Sequence, residues 1–209
     1  MQIFIQGNLG RQVKLLQEDD KCISFTDIQD NKDLDHLYDQ NKQIYMLITD
    51  NPLVDYGKII EKMVIAENKI FIPIMIDFPY LTIGPVSTEG SEGCFHCYID
   101  RLLQHDPARD VLRDAHRYYY TEENRDFVDI HPADALLISN FISSLKETKD
   151  EVVKIWKGKV SRLNLYDRSL ISSQVIGVSN CEICSEHQNS KEKSYLNMKK
   201  NLEEGVFKL

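Results

Sequence analysis

The stretch Ile70-Phe71-Ile72-Pro73-Ile74-Met75-Ile76-Asp77 is apolar at every position but the last. A strand with one wet face alternates polar and apolar residues, whereas a strand covered on both faces reads as a continuous apolar run. Residues 69–77 therefore read as a strand inside a layered core. Working towards the N-terminus, residues 2–6 (QIFIQ), 22–25 and 43–48 give three more short strands. Between them lie helical spacings: Val13, Leu15 and Leu16 in residues 11–18, then Ile59, Ile60, Met63 and Val64 in a helix ending near Ala66. Asp50-Asn51-Pro52 reads as the start of that second helix, with Asp50 or Asn51 capping and Pro52 in the first helical position.

Strands and helices alternating from Met1 to Asp77 predict an α/β protein. Its sheet is expected to be doubly wound, Rossmann-like and mostly parallel, with right-handed crossovers. The polar stretch 27–43 reads as a loop with a short helix. Beyond Asp77, residues 80–85 read as a strand leading through a Ser/Gly/Glu loop to Cys94. Residues 97–120 are charged and aromatic with helical character, and 132–149 form an amphipathic helix. Residues 160–165 and 174–178 are extended, the second piece leading into Cys181. One domain over residues 1–185 followed by a charged tail, 186–209, accounts for this pattern.

The balance of 25 basic against 33 acidic residues leaves −8, which opposes binding to phosphate backbones. Nucleic acid is disfavoured as a partner, although Arg101, Arg109, Arg113 and Arg117 form a local basic run. No stretch approaches eighteen apolar residues, so no membrane-spanning helix is expected. The N-terminus MQIFIQGNLG lacks the features of a secretory signal, and a cytoplasmic location is the expectation.

Four of the five cysteines form two Cys-x-x-Cys pairs, Cys94 with Cys97 and Cys181 with Cys184. Without a secretory context such pairs point to a metal or to redox chemistry rather than to disulfides. A zinc ion takes four thiolates tetrahedrally, and each short pair supplies two. Cys97 and Cys181 are far apart in the chain, so the ion would clip a mid-chain loop to the C-terminal segment rather than fold a small finger. The redox reading needs a Gly-Pro-like centre, and Phe95-His96 and Glu182-Ile183 do not supply one. His96 and His187 stand near enough to compete as ligands, but four cysteines already complete the set. Cys22, in the apolar run KCISF, reads as a buried inert thiol.

Gly7 and Gly10 follow the first strand, and Asp27 lies twenty residues after Gly7. Nucleotide-binding folds use glycines there for a tight turn and an acid after strand two for a ribose. The full Gly-x-Gly-x-x-Gly is absent, so the pair reads either as a working nucleotide turn or as a close strand–helix turn without a ligand. Asp50 likewise reads as a magnesium-binding acid or as a helix cap.

Ile83-Gly84-Pro85-Val86 followed by Cys94-Phe95-His96-Cys97, with the second pair far downstream, resembles the ThiF-like, ubiquitin-activating-type superfamily over residues 1–185. The run from Cys94 to Leu102 is most similar to the zinc-bearing scaffold subunits of azole-forming peptide synthetases of the microcin synthetase type. That resemblance implies a zinc-stabilised scaffold for a YcaO-type cyclodehydratase acting on a ribosomal precursor peptide. A flavin-dependent dehydrogenase is a further implied partner, within a homo- or hetero-oligomer. Gly7, Gly10, Asp27 and Asp50 would then be a vestigial nucleotide site. Active members of the superfamily need cations on the ATP phosphates, and no arginine occurs between Arg11 and Arg101. Lys32 and Lys42 lack the surrounding pattern, so ATP chemistry is not expected of this chain. The alternative is an ATP-dependent enzyme adenylating a peptide or carrier-protein C-terminus. Many such scaffolds begin with a winged-helix domain, and here the first strand opens the sequence. Leader recognition is therefore expected on a partner or on another surface, with the Arg/Tyr segment 101–120 as a docking candidate or simply a solvated helix.

Overall fold

A computed structural model describes residues 1–17, 21–24, 37–105, 107–121, 130–178 and 181–184. Asp27, His187 and the tail 186–209 lie outside the described residues. Among those described, no helix is long and apolar enough to cross a membrane.

Four strands come first: β1 (Gln2–Ile5), β2 (Lys21–Ser24), β3 (Ile44–Thr49) and β4 (Ile70–Asp77). They pair in parallel in the order β2-β1-β3-β4. A tight hairpin turns the chain into β5 (Tyr80–Ile83), antiparallel to β4, and β6 (Lys159–Asn164) and β7 (Leu170–Gln174) extend the sheet antiparallel. Five of the seven strands among the described residues, β1 to β4 and β6, thus run in one direction.

The central strands of the sheet are buried on both sides, as the run 70–77 requires. Ile70, Ile72, Ile74 and Ile76 face one core with Ile3, Ile5, Met46 and Ile48. The intervening Phe71 and Met75 face another with Phe4, Tyr45 and Leu47. Period-two alternation therefore survives in this strand, with both phases apolar. The first core is closed by α1 (Gly7–Leu16) and α5 (Pro132–Glu147); α6 (Lys149–Trp156) packs against it through Val152, Val153 and Trp156. The second is closed by α2 (Val54–Ala66) and α3 (Phe95–His105). A further helix, α4 (Arg109–Thr121), follows α3 with most of its described side chains in solvent.

Several expectations are corrected. The second helix does not start at Pro52: it begins at Val54, and Leu53 precedes it with no side-chain cap. Asp50 is drawn elsewhere, and Thr49 Oγ folds the intervening turn by donating to the Asn51 carbonyl at 2.5 Å. The helix expected over 132–149 ends at Glu147, and a separate α6 follows Thr148, whose φ of −131° interrupts the helix. Its hold is the Trp156 ring, edge-on to Phe141 at 5.2 Å, a tertiary contact with no local sign. The extended piece expected over 174–178 belongs to the sheet only at Gln174; the last strand, Leu170–Gln174, pairs with β6 although all five of its residues are exposed.

Gly10 shows how tightly α1 seats on the sheet. A methyl group there would stand 2.7 Å from Ile5 Cβ and 3.4 Å from the Ile48 carbonyl oxygen. Alanine normally favours a helix interior over glycine by about 1 kcal/mol. At this position the sign reverses: Gly10→Ala is expected to lower stability by about 1–3 kcal/mol, as overpacking does, read from a denaturant midpoint shift at unchanged slope.

Candidate metal centre

Cys94 directly precedes α3 and Cys97 lies in its first turn, so one helix start sets both sulfurs. Cys181 and Cys184 sit on a turn after the segment 175–178. That segment is held to α3 by Arg101, whose guanidinium donates to the Gly177 carbonyl at 3.1 Å. Val160 of β6 and Val175 pack around the cysteines. All four cysteines are buried, none more than 8% exposed.

The sulfurs stand 3.7 Å apart for Cys94–Cys97, 3.5 Å for Cys94–Cys181 and 3.3 Å for Cys97–Cys184. All four lie within 4.8 Å of one another. A tetrahedral ion with sulfur ligands at about 2.3 Å needs sulfur–sulfur edges of about 3.8 Å, so the donor set fits one with small adjustments. Hydrogen bonding among the sulfurs, first with Cys181, drives Cys97 strongly towards the thiolate, and Cys184 lowers Cys181 to about 6. The same network pushes the Cys94 and Cys184 thiols up, each through Cys181 first. Binding of a divalent ion to such a set requires the thiols to give up their protons. The Val178 N–H adds a hydrogen bond to Cys97 Sγ at 3.3 Å. A cleft of about 300 Å³ is lined by Lys62, Thr88, Ser91, Cys94, Glu182 and Cys184 among others.

Beside the sulfurs is a carboxylate that the sequence reading passed over. Glu61 of α2 is fully buried and accepts from the Phe95 N–H at 2.7 Å and the His96 N–H at 3.0 Å. It also meets His96 Nδ1 at 2.6 Å and receives a short bond from Ser87 Oγ. His96 is thereby engaged with Glu61 as well as near the cysteines. Glu61 reads locally as a surface charge, yet Gly57, Ile60, Glu61 and Val64 share the buried face of α2. That i, i+3, i+4, i+7 spacing was the available signal.

The residues read as a nucleotide turn are brought together in part. Asp50, 1% exposed, accepts the Asn8 N–H at 2.5 Å and the Leu9 N–H at 2.7 Å. It caps α1, not the helix that follows it. Gly7, with φ +74°, lies against the Asp50 carboxylate, where a side chain would collide with it. Gly10 faces Ile5 and the sheet. On α4, Arg113 and Arg117 pair with Asp110 and Asp114 one turn away, in exposed contacts of little energetic weight.

No protein-family model and no curated protein match the sequence. Solved structures match it at the level of fold. The heterocyclase TruD superposes with a TM-score of 0.58 at 14% identity, over 92% of this chain and 28% of that one. The E. coli microcin synthetase McbBCD complex gives 0.59 at 15% identity, over 87% of this chain and 68% of that one. E. coli MccB with AMPCPP and MccA gives 0.56 at 12% identity, over 88% and 66%. The chain spans about a quarter of the length of the heterocyclases it matches. Its fold is shared with heterocyclase and microcin-synthetase components.

Two measurements check this geometry. Metal analysis of reduced, full-length chain is expected to give one divalent ion, lost in Cys97→Ser; chelation should lower stability by about 4 kcal/mol or more if the ion was held a thousandfold above its Kd. Asp50→Ala, by leaving two helix N–H groups without their acceptor, is expected to cost about 1–2 kcal/mol in chemical denaturation.

Proposed function

We propose that the chain is a zinc-stabilised, ThiF-like scaffold or activator subunit of a YcaO-type cyclodehydratase that modifies a ribosomal precursor peptide. The strand order β2-β1-β3-β4 with helices on both faces supports a Rossmann-like winding from Met1 to Asp77. The fold shared with a heterocyclase and with the McbBCD complex supports a place in such an assembly. In this reading the four cysteines hold zinc, which cross-links the start of α3 to residues 181–184. Gly7, Gly10, Asp27 and Asp50 are what remains of a nucleotide site. A cytoplasmic location agrees with four cysteines kept reduced for a metal.

One observation carries the claim that the chain performs no adenylation itself. The amide pair at the start of α1, where this type of fold receives a phosphate, is already held by the Asp50 carboxylate. A phosphate arriving there would meet a like charge and would have to displace two hydrogen bonds.

The alternative, an enzyme that adenylates a peptide C-terminus, is favoured by the fold shared with MccB, solved with AMPCPP and MccA, and by an acid retained at Asp50. Pyrophosphate exchange separates the two. The isolated chain is expected to give no exchange above background with candidate precursor peptides, and to raise turnover by a co-purifying cyclodehydratase at least about tenfold, or about 1.4 kcal/mol off the barrier. Robust exchange by the isolated chain would sink the scaffold reading.

A further inference from the structure

Among the described residues, the Glu61 carboxylate is buried without any exposure. Burying such a charge costs several kcal/mol unless its oxygens are matched by donors. Here Oε1 receives the Phe95 N–H and the Ser87 hydroxyl, while Oε2 receives the His96 N–H and faces His96 Nδ1. The Ser87 hydroxyl oxygen also takes the Phe95 N–H at 3.2 Å. Two of the four amides at the start of α3 are thus satisfied by a side chain from another helix.

Electrostatics alone gives no reason for this placement. A ligand oxygen of Glu61 lies within 4.8 Å of Cys94 Sγ, and a carboxylate beside thiolates is a like charge. Geometry supplies the reason. Gly57, one turn before Glu61, admits the Phe95 ring so closely that a methyl group there would stand 2.5 Å from it. That contact brings α2 against the first turn of α3, and Glu61 then fixes the amides of the two residues between Cys94 and Cys97.

We propose that Glu61 is a positioning residue for the metal centre: by clamping the Phe95 and His96 amides it sets the Cys94–Cys97 pair before the ion arrives. This rests on the reading of the four cysteines as a metal site. In this role Glu61 acts through its hydrogen bonds to Phe95, Ser87 and His96 rather than by ligating the ion.

The test uses the full chain and zinc in competition with a chelator of known affinity, with cobalt(II) substitution as the geometric readout. Glu61→Gln keeps the size but puts an amide donor where an acceptor is needed. It is expected to lower zinc affinity about 10- to 100-fold, the usual consequence of losing a group that orients a ligand, and to alter the cobalt ligand-field bands. Ser87→Ala leaves the carboxylate but removes one donor, with an expected loss of about two- to tenfold on the same principle. Unchanged affinity and an unchanged cobalt spectrum in Glu61→Gln, with both the metal-loaded and chelated forms melting equally lower, would overturn the proposal and leave Glu61 as packing alone. Should Glu61→Gln fail to fold, Ser87→Ala decides by itself, and an affinity equal to that of the unaltered chain overturns it. Failure of the metal reading is a separate outcome: the unaltered chain would bind no zinc at all.

Discussion

Four sulfur atoms in a buried cluster, each 3.3–3.7 Å from a neighbour, cannot all carry charge without a cation among them. That constraint organises the second half of the fold. It demands that the start of α3 and the turn at residues 181–184 arrive at one point, although a long run of chain separates Cys97 from Cys181. Everything that delivers those two segments must therefore be rigid. Arg101 binds the approach segment through the Gly177 carbonyl, and Val160 and Val175 fill the space beneath the sulfurs. On the other side Glu61 and Ser87 fix the first turn of α3.

The sheet makes such rigidity available. Its central strands are covered on both faces, so β3 and β4 cannot shift register by one residue without exchanging two complete sets of core side chains. Helix α2 connects these two strands. Its N-terminal approach carries the Asp50 turn, and its buried face carries Gly57 and Glu61. Two buried carboxylate devices, the Asp50 cap on α1 and the Glu61 clamp on α3, thus stand on one strand–helix unit. In both, a buried carboxylate from one element satisfies the amides at the start of another helix. The Asp50 carboxylate takes the place of the local side-chain cap that α1 lacks.

Fold and site were legible in the sequence to different degrees, for identifiable reasons. The strand at 70–77 was readable because burial on both faces leaves a short, continuous apolar run rich in β-branched isoleucine. The cysteine pairs were readable because their chemistry requires a fixed short spacing, and the structure gathers all four. Asp50 was recognised as a capping residue but assigned to the wrong helix: local spacing favours the helix that follows, whereas the amides it meets belong to Asn8 and Leu9, far earlier in the chain. Glu61 was passed over because a lone acid on a helix usually faces water, and only the approach of α3 supplies its donors. Helix α6 was missed because its hold is the contact between Trp156 and Phe141.

By itself, then, the sequence determined the alternating architecture, the two-faced burial of the central strands and the four cysteines that the structure gathers. These follow from patterns within one element or from residue chemistry. Only the tertiary structure decided which helix Asp50 caps, that Gly10 serves strand–helix packing, and that Glu61 stands buried beside the cysteines. The reason is the same in each case. The free energy of a buried charge or a close approach depends on groups contributed by distant segments, and local periodicity carries no information about them.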